Sequence, residues 1–323
     1  MTMLFMKKKY QLERFFVTWL MILFMILTDA FTAFAQVKQA TFLVNGISCD
    51  LEQGILKVEF VTPDVVRVQY TGENTFIGNG TDVCLPRAVD NPVRWVYTPN
   101  PDCYLLKSDS LIVRVDLSTA SITYLDKEGG LLLQEDQNIP RISEKRVTKQ
   151  VIYDEHSKHI EKTADGDKEI KNVLRYDTIG HTWKYRINFK WQPLEALYGW
   201  GAHMEDYMNL RGKELYLCQH NLKAMVPVLN STAGYGLLFD AGCAMMFKDN
   251  SEGSFVELEA AKQIDYYFMK GKTMDAVVAN YRLLTGNSPM MPLYLFGYIQ
   301  SKERYVSSDD LINTLKEYRQ RQI

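Results

Sequence analysis

The sequence predicts a mainly β chain, a β-sandwich over residues 36–288 followed at residues 289–323 by one strand-and-helix unit. Three observations carry this expectation. Apolar and polar residues alternate over short runs, renewed roughly every eight to twelve positions after a turn signal, which is the pattern of a two-layered antiparallel fold. Gly199 and Gly201 alternate with aromatics where a strand leaves its sheet, which suits a backbone at positive φ or one approached closely by a neighbour. Near the C-terminus the period changes from two to that of a helix.

The N-terminus precedes this fold. Lys7-Lys8-Lys9 and Arg14 come before an apolar run over residues 15–27, and Ala33-Phe34-Ala35 supplies small residues where a signal peptidase reads. Residues 1–35 are therefore expected to be a signal peptide cleaved before Gln36, and the chain to be exported, periplasmic or secreted. Residue 36 is not cysteine, which argues against a lipoprotein anchor.

From residue 41 onward the strands follow one another. Leu56-Lys57-Val58-Glu59-Phe60 and Val65-Val66-Arg67-Val68-Gln69-Tyr70 flank Thr62-Pro63-Asp64 and read as a hairpin. Leu111-Ile112-Val113-Arg114-Val115-Asp116-Leu117 and Ser121-Ile122-Thr123-Tyr124-Leu125 repeat the device, and Asp126-Lys127-Glu128-Gly129-Gly130 turns the chain again. Residues 141–172 are rich in Lys, Glu and Asp and read as a solvated hairpin or loop; Asp154, His156 and His159 there have no setting that would fix a metal. Residues 183–189 resume the alternation, and residues 254–258 and 264–269 are further strands.

A helix is expected over about 273–285. Thr273 caps it, Val277, Val278, Tyr281 and Leu284 fall on one face, and Gly286 and Pro289 end it. Residues 293–299 (Leu-Tyr-Leu-Phe-Gly-Tyr-Ile) are apolar on both faces, as a covered parallel strand should be. Ser307 or Ser308 then caps a helix with Leu311, Ile312, Leu315 and Tyr318 in one stripe.

Composition bounds the partners. The 323 residues are 46% apolar with a formal charge of -2, and the basic residues are interspersed with acids, so no nucleic-acid surface is indicated. Past residue 36 no apolar run is long enough to cross a bilayer, and no membrane contact is expected after signal cleavage. The five cysteines cannot all pair; one bridge is open to an exported chain, while Cys218 and Cys243 lie in apolar runs and read as buried thiols.

The motifs over residues 197–240 are the most specific feature. Leu197-Tyr198-Gly199-Trp200-Gly201-Ala202-His203 leads through Asn209-Leu210-Arg211-Gly212-Lys213 to Gly234-Tyr235-Gly236-Leu237-Leu238-Phe239-Asp240. On these residues the chain resembles glycoside hydrolase family 31, the α-glycosidases that remove α-glucosyl or α-xylosyl units. The resemblance covers roughly residues 56–323, the front half of such an enzyme. It implies a galactose-mutarotase-like β-sandwich that leans over the mouth of a (β/α)8 barrel, with residues 289–323 the first β/α unit of a truncated barrel and the 273–285 helix joining the two. It implies α-linked oligosaccharide as the partner, retaining cleavage through a glycosyl-enzyme intermediate in the complete enzyme, and neither metal nor organic cofactor.

The residues available for chemistry are fewer. Retaining hydrolysis needs two carboxyl groups about 5 Å apart across the sugar, and the family's catalytic aspartates lie beyond the point where this sequence stops. Glu205 and Asp206 are adjacent and would point to opposite faces of a strand, and Asp240 and Asp249 sit in turn-like settings. The chain alone is thus expected to be inactive, with no catalytic residue assigned. Substrate contact is expected from Gln219, His220 and Asn221, a polar segment projecting at the sheet's end, and from Gln300, Lys302 and Glu303 on the rim after the first barrel strand. Trp200 is expected in the core rather than on a sugar. Two other classes of reading stand beside this one: a non-catalytic carbohydrate-binding or structural sandwich left by truncation, and a mutarotase-type site in which His203 and Glu205, two apart on a strand, share a face.

Overall fold

The computed structural model describes residues 36–78, 83–85, 92–163, 166–206 and 208–323. The expected signal peptide lies outside them. Contacts divide the chain into two compact units, one ending at Thr285 and one spanning Gly286–Ile323.

The described residues of the first unit form twenty strands. They are β1 (Val37–Phe42), β2 (Gly46–Leu51), β3 (Ile55–Thr62), β4 (Val65–Thr71), β5 (Trp95–Thr98), β6 (Cys103–Ser108), β7 (Leu111–Asp116), β8 (Ile122–Asp126), β9 (Leu131–Glu135) and β10 (Arg141–Tyr153). There follow β11 (His159–Thr163), β12 (Gly166–Ile170), β13 (Val173–Lys190), β14 (Leu197–Ala202), β15 (Glu214–Leu217), β16 (Ala224–Ser231), β17 (Tyr235–Phe239), β18 (Met245–Asn250), β19 (Gly253–Ala261) and β20 (Ile264–Lys270). One large sheet has the order β1-β2-β3-β4-β20-β17-β16-β14, a second the order β15-β18-β19-β13-β9-β8-β7-β6-β5 with β10 also paired to β13, and β11 and β12 form a separate two-stranded sheet.

The hairpins follow the sequence reading. β3 pairs with β4 around Pro63, and β7 with β8, both antiparallel. Alternation then sends one face of each sheet inward, where Phe60, Tyr124, Tyr185, Trp200, Phe239, Phe247 and Tyr266 are fully buried. Tyr124 stacks on Phe268 with centroids 3.9 Å apart. These residues belong to the core between the sheets.

One polar network crosses it. Fully buried Glu135 accepts from the Ile122 N–H at 2.9 Å and the Tyr266 hydroxyl at 3.0 Å, and pairs with the Arg141 guanidinium at 3.2 Å. Burial pushes the Glu135 carboxyl above its ordinary range, while Arg141 and the two hydrogen bonds act to hold it down.

The polar 141–172 segment is a solvated hairpin, as expected: β10 runs along β13 from Arg141 opposite Ile187 to Tyr153 opposite Val173, and β11 and β12 form its tip. Asp154 accepts from the His156 backbone N–H at 2.9 Å and so caps a short 3₁₀ turn. Helix α1 (Met274–Thr285) forms where predicted, with Thr273 Oγ1 accepting from the Ala276 N–H at 3.2 Å and Gly286 at φ +90° beyond its end. Its Val277 and Leu284 pack on Val65, Val228, Leu238, Tyr267 and Met269, covering the outer side of the first sheet. Val278 departs from the expectation. It is exposed, because the buried stripe of this helix is narrower than the four-residue set.

The second unit corrects another expectation. Residues 293–299 do not form a strand: Leu293–Phe296 is a 3₁₀ turn, and Leu293, Tyr294, Phe296, Tyr298 and Ile299 are exposed. A parallel strand draws its hydrogen bonds from neighbours on both edges, and no strand of the described residues lies beside this one. The helix does form, as α2 (Ser308–Gln320), with Ser307 Oγ accepting from the Asp310 N–H at 3.1 Å. Its stripe of Leu311, Ile312 and Leu315 is exposed.

The thiols also differ from the sequence reading. All five cysteines are free. Cys49, Cys84 and Cys103 are the buried ones, whereas Cys218 and Cys243, past the ends of β15 and β17, are half-buried.

Candidate functional site

The polar segment at residues 219–221 projects where β15 ends and β16 begins, and its position is set upstream by β14. Gly199, Trp200 and Gly201 have φ of +129°, +62° and +90°, and the β14–β16 register shifts between Gly199 and Gly201. A side-chain carbon at Gly201 would lie 1.9 Å from the Ala224 carbonyl oxygen, and one at Gly199 2.2 Å from that of Val228. The two glycines therefore let β14 bulge against β16, and the bulge turns Trp200 into the core against Phe239 and Phe247 at 5.7 and 5.9 Å. Trp200 is fully buried, in agreement with its expected core role. Its carbonyl accepts from His203 Nε2 at 2.7 Å.

Beyond the bulge, an ion pair ties two loops together: Lys223 Nζ lies 2.5 Å from Glu205 Oε1. Lys223 holds the Glu205 carboxyl below the usual range. A tight turn joins His220 to Lys223 by an isolated bridge, with Leu222 at φ +74°. Gln219 is pinned at both ends of its amide, Oε1 accepting from the Met225 N–H at 2.9 Å and Nε2 donating to the Lys223 carbonyl. The side chains of His220 and Asn221 are exposed, and so is Leu222, at 71%. The fold thus makes Gln219 a brace of the turn and leaves His220 and Asn221 facing solvent.

The mutarotase-type pairing of His203 and Glu205 does not survive this geometry. β14 ends at Ala202, so the two do not share a strand face. A carbonyl can only accept, so His203 donates from Nε2; its Nδ1 is buried with no partner among the described residues, while Glu205 is exposed on Lys223. Sequence reasoning missed Lys223 and Glu205 as the clamp of this turn. A pair 18 residues apart leaves no local signal.

Residues 209–213 anchor the other side of the same stretch. Asp249 accepts from Arg211 Nε at 2.8 Å and from the Gly212 N–H at 2.7 Å, and from the Ser254 hydroxyl. Burial acts to raise the Asp249 carboxyl, but these donors together hold it below the ordinary range. A depressed carboxylate stabilises the fold above its unfolded pKa, near 3.9, and the contribution is lost as pH falls through the folded value. Asp249→Asn is expected to cost about 1–3 kcal/mol at pH 7. The loss should shrink as pH falls below the unfolded carboxyl value of about 3.9 in urea melts; a loss that stays constant as the pH is lowered would show that the charge is not involved.

In the second unit, Gln300 Oε1 accepts from the Tyr298 hydroxyl at 2.7 Å and from that of Tyr318, which links the segment to α2. Lys302 lies 3.1 Å from Asp310 and over the Tyr305 ring at 4.6 Å, and Glu303 is exposed. The six expected contact residues therefore fall in two units, three in each.

The buried carboxylates among the described residues all have protein partners. Glu135 has Arg141, Asp249 has Arg211, Asp265 has Arg67, Glu257 has Lys184 and Arg186, and Glu195 accepts from Tyr235 at 2.8 Å and from Ser231. None of these is held as an opposed acid pair.

The profile of the glycosyl hydrolase 31 N-terminal galactose mutarotase-like domain matches residues 55–247. The chain belongs to glycosyl hydrolase family 31. Among curated proteins, it is 26% identical over 277 residues to an α-xylosidase of Saccharolobus solfataricus, covering 83% of this chain and 33% of that protein. Among solved structures, the family 31 dextranase of Flavobacterium johnsoniae complexed with isomaltotriose superposes with a TM-score of 0.66 at 19% identity, over 90% of this chain and 33% of that one. A family 31 α-xylosidase from a soil metagenome complexed with xylose gives a TM-score of 0.64 at 20% identity, over 88% and 40%. The chain thus spans about a third of the length of the curated α-xylosidase, and its fold is that of the N-terminal portion of family 31 enzymes.

Proposed function

We propose that this chain is the sugar-facing N-terminal part of an exported retaining α-glycosidase of the α-glucosidase or α-xylosidase class. In this reading the braced turn at residues 219–223 shapes the entrance through which an α-linked oligosaccharide reaches the chemistry, and the sandwich contributes contact rather than cleavage. The observation that carries it is the turn itself: Gln219, the Lys223–Glu205 pair and a bond from His220 Nδ1 to the Asn221 carbonyl fix the turn, while His220 and Asn221 are exposed, with His220 Nε2 and the Asn221 amide available to hydroxyl groups. The relatives point the same way, being named for xylosides or solved with isomaltotriose or xylose. In the complete enzyme Gln300, Lys302 and Glu303 would add contacts from the barrel rim.

The test is a titration of the purified chain with xylose and with isomaltotriose, followed by amide NMR. The backbone amides of residues 219–223 should shift saturably, with a Kd on the order of millimolar, and His220→Ala/Asn221→Ala should weaken that response at least fivefold without changing the melting temperature. Amides at 219–223 that stay fixed to saturating sugar would rule the role out.

A further inference from the structure

The ribbon that β10 and β13 extend from the sandwich takes no part in the function proposed above, and its β13 strand is held on one edge only. At Trp183 the strand lies between Lys145 of β10 and Ala261 of β19, whereas residues 173–182 pair with β10 alone among the described residues. This leaves a row of backbone N–H and C=O groups with no strand beside it, the feature that most readily takes up a further strand. Its apolar side chains are uncovered as well. Val173 is 46% exposed, Leu174 59%, and Tyr176 and Ile179 61% each.

The charges on this edge select its occupant. When a strand pairs antiparallel with a copy of itself, the two-fold axis passes through one residue that faces its own copy, and residues equally far before and after it face each other. Centring on Tyr176 sets Arg175 opposite the partner's Asp177, and Asp177 opposite the partner's Arg175. Centring one residue to either side would set Arg175 or Asp177 against its own copy. Along the strand Arg175 Nε already lies 2.9 Å from Asp177 Oδ1, with the two side chains 61% and 45% exposed. Two copies would therefore form a square in which each charge has opposite charges as its neighbours. The β10–β13 register is uninterrupted over residues 175–178 and shifts on either side, which confines such pairing to a short stretch. The other free edge of the ribbon lacks this fit. Residues 143–152 of β10 carry Lys145, Arg146 and Lys149 against Glu144, so two such edges repel.

We propose that residues 174–178 of β13 pair with the same residues of a second copy of this chain, about a two-fold axis at Tyr176, and make the protein a weak homodimer. So short an edge buries less surface than a permanent dimer needs, which sets the Kd on the order of 100 micromolar. The contact is independent of sugar binding, and its test does not depend on the 219–223 turn.

Sedimentation of the purified chain at concentrations up to about 1 mM tests this, with a reversible monomer–dimer equilibrium as the expected result. Arg175→Asp and Asp177→Arg each set like charges opposite one another across the axis, and each should weaken association about tenfold. Both side chains are exposed, so the melting temperature should not change. Mixed one to one, the two variants again face each other with opposite charges, although neither keeps the pair along its own strand. The mixture should therefore associate about as tightly as the unmodified chain, which separates a contact between copies from one within a copy. Lys149→Glu, on the other edge of the ribbon, should leave the equilibrium unchanged. A chain that stays monomeric at about 1 mM, or an association that both single reversals leave intact, as one through the apolar stripe of α2 would be, would overturn the proposal. So would a mixture that associates no more tightly than either variant alone.

Discussion

Gly201→Ala is expected to destabilise the sandwich by on the order of 3 kcal/mol or more. Two causes add. An L-residue at φ +90° costs about 1–2 kcal/mol, and the new carbon would start 1.9 Å from the Ala224 carbonyl oxygen, so β14 and β16 must part to admit it. Parting them moves Trp200, which fills the core at full burial, and with it the carbonyl that holds His203. Urea unfolding followed by tryptophan fluorescence measures the loss. Gly212→Ala is the matched control: it also has positive φ, at +73°, but no atom lies within 4 Å of the added carbon, so it should cost only the backbone part. Equal losses in the two variants would mean that strand contact at Gly201 is not what matters.

The second large effect concerns the buried network between the sheets. Arg141→Met is expected to cost about 3–5 kcal/mol at pH 7, because it strands the Glu135 carboxylate in the core. The pH dependence has a definite sign. Without Arg141 the folded pKa of Glu135, already raised by burial, rises further. The penalty is then largest above the folded value and disappears as pH falls below the unfolded carboxyl value of about 4.3, where both states carry the proton. The double variant Glu135→Leu/Arg141→Met should recover most of the loss, since an apolar replacement of a buried pair is often neutral. A double variant as unstable as the single one would assign the cost to Arg141 packing on Tyr70, whose ring it overlies at 5.7 Å, rather than to the stranded charge.

Much of this fold is legible in the sequence wherever the cause is local. Period-two runs place β3, β4, β7 and β8, because alternation follows from a sheet with one buried face. Gly199 and Gly201 announce the bulge, because no other residue fits both the φ values and the approach of β16. Thr273 and Ser307 cap helices through bonds to residues three positions on. What stays hidden depends on distant partners. Residues 293–299 have the apolar composition of a covered strand, yet composition cannot supply the flanking strands that would make one. The Lys223–Glu205 clamp spans 18 positions and the Arg67–Asp265 pair spans 198, so neither could be read from spacing. Of the expected contact residues at 219–221, Gln219 has its amide bonded to the backbone, whereas His220 and Asn221 are exposed, a division that spacing does not reveal.

In the function proposed above, this sandwich presents sugar contacts without the opposed acids that break a glycosidic bond. Release of nitrophenol from nitrophenyl α-xyloside and α-glucoside by the purified chain tests it most directly. The account predicts no release above the protein-free rate at any pH from 4 to 8, together with saturable sugar shifts at residues 219–223 in the same preparation. Saturable nitrophenol release that follows the protein through purification would contradict it.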